Sequence, residues 1–153
     1  MVNKVLLYTI SYGGDTELNS NGMIEIGRCP ETAFETVACG GDWKVSILNE
    51  AAIFLPGKLS YVERHTETDE CFVLLEGKAR IFIAGNGDVP DGKYNVIEMK
   101  PLTAYNIKEN VWHALENEKG TKVLVIEKTD TGDENTIRIK YSFPSFKIDH
   151  QKS

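Results

Sequence analysis

Gly57-Lys-Leu-Ser-Tyr-Val-Glu63-Arg-His65-Thr-Glu-Thr-Asp-Glu70 crowds metal-capable side chains into one short stretch. Along a strand, residues two apart share a face. Tyr61, Glu63 and His65 therefore point one way, and Val62 and Arg64 the other. Four residues then make a turn, and Glu70 opens the next strand. Such a strand–turn–strand unit can aim three ligands at one point. The fourth candidate is His113, in Glu-Asn-Val-Trp-His-Ala-Leu-Glu-Asn. Two imidazoles and two carboxylates suit a divalent transition metal such as Mn, Fe(II), Zn or Ni better than copper. Positions left open on the ion could hold water, or polarise and orient a substrate. Tyr61 shares the face of Glu63 and is a candidate for substrate contact, or equally a core side chain. The competing reading makes Glu63–Glu70 a solvated, charged strand end and His113 a packed histidine.

These residues need strands to position them, and strand signals dominate the chain. Runs rich in Val, Ile, Tyr, Phe and Thr occupy residues 5–10, 43–48, 59–65, 71–75, 78–83, 95–99, 104–107, 112–115, 121–128 and 136–141. Turn residues punctuate them, the pattern of a sandwich or barrel. The one helix candidate is 30–37, with Pro30 at a first helical position. Residues 71–83 read as a hairpin about Glu76-Gly77, with Phe72 opposite Ile81 and Leu75 opposite Lys78. One face then carries Glu70, Phe72, Leu74, Ala79, Ile81 and Ile83, leaving Glu70 as an isolated carboxylate on an apolar face. Trp112 faces away from His113, toward a second sheet or a partner subunit. Glu127 ends the apolar run from Val123 to Ile126 and could enter the barrel, where a salt bridge to a lysine would hold it. Residues 85–92 and 130–135 are turn-rich loops, the second only faintly like a calcium loop.

The spacing of the metal-capable residues resembles the cupin superfamily. Its first motif sets Gly, five residues, His-x-His, three or four residues, Glu, six residues and Gly; here Gly57, Glu63-x-His65, Glu70 and Gly77 fit every spacing. The departure is Glu63, where the family usually has histidine. In the second motif, His113 and Asn117 fit, while Leu102, Lys108 and Asn110 stand where Gly, Pro and Gly are expected. Asn110 is a reasonable substitute, because Asn tolerates the left-handed backbone. The phrase Val111-Trp112-His113 also looks like the Trp-His of ureidoglycolate lyase-like cupins. The resemblance covers residues 57–129. It implies an all-β, double-stranded β-helix (jelly-roll) barrel, with Glu63, His65, Glu70 and His113 on the four metal positions. Residues 1–50 would add strands that extend one sheet and help to build a homodimer.

At 153 residues the chain suits one domain, with a frayed tail at 147–153. Its 41% hydrophobic and 26% charged residues are those of an ordinary globular protein. The net charge of -6, with scattered lysines and arginines, argues against a nucleic-acid partner. No run is long and apolar enough for a membrane span, and the first ten residues lack the form of a signal peptide. Cys29, Cys39 and Cys71 cannot all pair within one chain, which fits reduced thiols in the cytoplasm. The function expected is a metal-dependent lyase, isomerase or dioxygenase acting on a small hydroxy acid, ureido acid or sugar derivative. The alternative is a non-catalytic cupin that binds a small molecule or serves in assembly.

Overall fold

The computed structural model describes residues 17–19, 24–30, 33–50 and 54–143. Two five-stranded antiparallel sheets face each other. The first runs in the order β3 (Ala33–Gly40), β4 (Trp43–Asn49), β11 (Lys122–Lys128), β6 (Glu70–Glu76) and β9 (Ala104–Ile107). The second runs β12 (Thr136–Lys140), β5 (Tyr61–His65), β10 (His113–Asn117), β7 (Ala79–Ile83) and β8 (Asn95–Glu98). A small ribbon pairs β1 (Glu17–Asn19) with β2 (Ile24–Ile26). No helix among the described residues is long and apolar enough to cross a membrane.

Alternation along the strands decides what lies between the sheets. β4 buries Lys44, Ser46 and Leu48, and β11 buries Val123, Val125 and Glu127. From the first sheet, Leu48, Phe72, Leu74, Val123 and Val125 meet Ala79, Ile81 and Leu115 of the second in one core. Burying each large side chain of this kind stabilises the fold by roughly 1.5–3 kcal/mol. A second cluster lies on the outer face of the second sheet, where Val62, Phe82, Ala84, Trp112 and Ala114 are covered by Tyr94, Tyr141 and Phe143.

Every strand expected from residue 43 onward forms close to where the sequence puts it, and 43–48 extends the first sheet beside β11 as expected. Three expectations change. The helix expected at 30–37 is replaced over its described part by β3, whose Thr36 Oγ1 lies 3.0 Å from Ser46 Oγ of β4. A bulge between Thr36 and Ala38 breaks the alternation there, and Val37 is buried at 8% exposure. Residues 71–83 form two strands but no hairpin. β6 pairs with β11 and β9, whereas β7 pairs with β10 and β8. The chain crosses between sheets at Gly77 (φ 84°), where an added Cβ would meet the Thr121 backbone at 2.7 Å. The expected face is nevertheless the inner one: Glu70, Phe72, Leu74, Ala79 and Ile81 are all buried, now across the barrel from one another. Trp112 packs in the outer cluster and not against the other sheet; its Nε1 donates to Gly87 O at 2.9 Å, and Arg64 stacks 4.6 Å from its ring. Residues 5–10 and 147–153 lie outside the described residues.

Candidate metal centre

β5 lies between β10 and β12, and its register does the positioning. Glu63 faces His113 on one side and Arg138 on the other, and His65 faces Thr136. Glu70 reaches in from the opposite sheet. Its turn is pinned by Asp69, which accepts from Asn106 Nδ2 at 2.9 Å and Glu109 N at 2.9 Å and pairs with Lys108. One ligand atom from each of Glu63, His65, Glu70 and His113 lies within 4.8 Å of all the others. His65, Glu70 and His113 are buried, and Glu63 is half-buried.

Both imidazoles turn Nε2 toward one carboxylate oxygen, Glu70 Oε2, at 3.2 Å for His65 and 2.8 Å for His113. The outer nitrogens are occupied: His113 Nδ1 donates to Val111 O at 2.9 Å, and His65 Nδ1 lies 2.9 Å from Thr136 Oγ1. A carbonyl only accepts, so the His113 proton sits on Nδ1. In the neutral ring, Nε2 would then present a lone pair to a carboxylate, which requires a proton or a metal ion between them. Such outer hydrogen bonds are the usual means of orienting metal-bound histidines. Burial pushes the Glu70 carboxyl up, but the hydrogen bonds from His113 and His65 outweigh it and hold the group at about 2. Burial alone would lower both histidines; the bond and charge of Glu70 raise them instead. This is a point in the barrel that favours positive charge, and the donor set fits a divalent ion.

Glu63 is engaged on its other side by Arg138, whose Nε donates to Oε2 at 2.8 Å, while Nη1 donates to Asp133 at 3.0 Å. Burial, then the charge of Glu63, pushes the Tyr61 hydroxyl up to about 12. Tyr61 shares the inward face of Glu63, yet it is not among the side chains lining the cavity.

That cavity, about 450 Å³, is lined by Glu63, His65 and Glu70 of the cluster, with His113 behind them, and by a second polar wall of Glu127, Thr131, Gly132 and Asp133. Glu127 enters the barrel and pairs with a lysine, as expected, with Lys44 Nζ 3.4 Å away. Burial, then the charge of Glu70, raises its carboxyl to about 7, so near neutrality the Glu127 side is only partly ionised. Lys44 Nζ also donates to Thr131 O at 2.8 Å.

Sequence reasoning does not single out Arg138, Thr131 or Asp133. One signal is available: β12 places Thr136 and Arg138 on one face and Ile137 and Ile139 on the other, so its polar side chains face inward. The 130–135 loop is a turn closed by Gly132 N donating to Asn135 Oδ1 at 2.9 Å, and it lines the cavity.

Two facing antiparallel sheets with a His/Glu cluster between them define a cupin. The sequence profile of the family described as ureidoglycolate lyase matches residues 16–142, and the chain belongs to that family. No curated protein matches the chain. Among solved structures, a variant of PAC13 from Streptomyces with uridine is similar at TM-score 0.52 and 6% identity, over 90% of this chain and 92% of that one. BH2720 from Bacillus halodurans is similar at TM-score 0.50 and 15% identity, over 68% and 75%. A cupin-2 domain protein from Shewanella frigidimarina gives TM-score 0.44 and 20% identity, over 66% and 84%. At these identities the likeness concerns the fold alone.

Proposed function

We propose that this protein is a metal-dependent lyase that releases urea from a ureidoglycolate-type substrate, an acid whose α-carbon bears both a hydroxyl and a ureido group. The observation that carries the reading is the convergence of Glu63, His65, Glu70 and His113, the first three of which line a cavity, in a chain of this family. These four side chains would hold a divalent transition metal, Mn, Fe, Zn or Ni. Once bound, the ion would hold substrate oxygens and stabilise negative charge developing on them. In the reaction the C–N bond breaks and its electron pair leaves with the nitrogen, which takes up a proton. The hydroxyl loses its proton and its O–H electron pair becomes the second bond of a carbonyl, giving glyoxylate and urea. Arg138 restrains Glu63, Phe34, Phe54 and Phe72 line the apolar part of the cavity, and Glu127 stands in the same cavity with a carboxyl that exchanges protons near neutrality. The reading includes a homodimer acting in the cytoplasm; a monomer by light scattering at micromolar concentration would count against the dimer.

The experiment is elemental mass spectrometry of protein from metal-replete cells, with glyoxylate release from ureidoglycolate followed in the same preparation. The unmutated protein should carry about one transition-metal ion per chain, the count a single four-ligand site implies, and His113→Ala should lose both metal and turnover. Metal-free unmutated protein would favour the second reading, a non-catalytic small-molecule binder. The hydrogen bond that already ties Glu63 to Arg138 is the observation on that side.

A further inference from the structure

The second polar wall of the cavity holds a group with nothing to bind. Thr131 is 7% exposed and lines the cavity, yet its Oγ1 has no hydrogen-bond partner among the described residues. A buried hydroxyl left unpaired is destabilising, and native structures rarely leave one so without a reason. The neighbourhood keeps it in place. Lys44 Nζ holds the Thr131 carbonyl at 2.8 Å and Glu127 at 3.4 Å, and the adjoining turn is closed by Asn135. Glu127 lines the cavity beside it. The wall therefore offers a fixed hydroxyl that can donate and a carboxyl oxygen that can accept. A planar amide has the matching pair, a carbonyl acceptor and N–H donors. From these observations we propose that Thr131 and Glu127 form the subsite for the ureido or amide end of the ligand, while its acid end lies at the four-ligand cluster. The Thr131 hydroxyl donates to the ligand carbonyl, and Glu127 accepts from a ligand N–H.

This subsite deepens the lyase reading and rests on it for the identity of the ligand, but it is tested by binding. Isothermal titration calorimetry on the full-length, Mn-loaded protein would compare two probes. Hydantoate has the carboxylate and ureido groups but no hydroxyl to eliminate; glycolate has the carboxylate and hydroxyl but no ureido group. Thr131→Val should weaken hydantoate about tenfold, the effect of one lost hydrogen bond, and leave glycolate within about twofold. Thr131→Ser should restore hydantoate binding. Equal hydantoate affinity in Thr131→Val and the unmutated protein would overturn the proposal, as would failure of the unmutated protein to bind hydantoate. If the discrimination is found while ureidoglycolate is not turned over, the subsite stands and the lyase reading falls. Turnover without the discrimination would overturn the subsite and leave the lyase reading standing.

Discussion

Glu127 carries the sharpest consequence at the scale of single residues. Its carboxyl is raised by burial to about 7, well above the ordinary value of 4.5. A raised carboxyl contributes stability that is complete below the ordinary value and is lost as pH rises through the folded one. Over that window the loss is on the order of 3 kcal/mol. His65 and His113 are also raised, so metal-free protein loses their contribution in the same direction; Glu70, held at about 2, is lost only in acid. The difference between two proteins isolates Glu127. In chelated samples, urea unfolding at pH 5 and pH 8 should show a smaller drop for Glu127→Gln than for the unmutated chain; an equal drop would refute the assignment. The four candidate ligands are legible in the sequence because three are local and strand alternation aims them. Arg138 is not, because it reaches the cavity only through the pairing of β12 with β5, and Thr131 is not, because its place is set by Lys44 of β4, a residue distant in sequence.

Elements are legible wherever alternation is clean. β4, β6 and β11 each alternate between buried and more exposed positions, and each stands where its pattern predicts. β3 reads as a helix because its bulge at Val37 disrupts the period, and Pro30 just ahead imitates a helix start. The false hairpin has a different cause. Two strands joined at a glycine look alike whether they pair within a sheet or cross to the facing one, and only the other strands competing for their edges decide. The loops on either side of β9 offer a test. Leu102 and Asn110 adopt φ values of 57° and 63°, the left-handed region. Both occupy positions where the cupin motif has glycine, and Leu102 is 85% exposed. A leucine there carries backbone strain that no packing offsets, so Leu102→Gly should stabilise the protein by about 1 kcal/mol. Thermal unfolding is the measurement, and a lower midpoint for the variant would contradict this account.

For the whole molecule, what matters is where the ligand atoms come from. Glu63, His65 and His113 belong to one sheet and Glu70 to the other. An ion at the cluster would bind the folded barrel and not the unfolded chain, adding about 4 kcal/mol at a thousandfold excess over its dissociation constant. For a chain of this size that is a rise of about 10 °C in Tm. Chelator should remove it, and Mn, Zn or Ni should restore it. An unchanged Tm would show that no ion bridges the sheets. A stitch through both layers has a wider meaning in the cell. Endurance and chemistry would draw on a single mineral supply, so scarcity would not leave a stock of sound but idle enzyme. It would leave looser molecules, open to proteases, whose numbers fall together with their work.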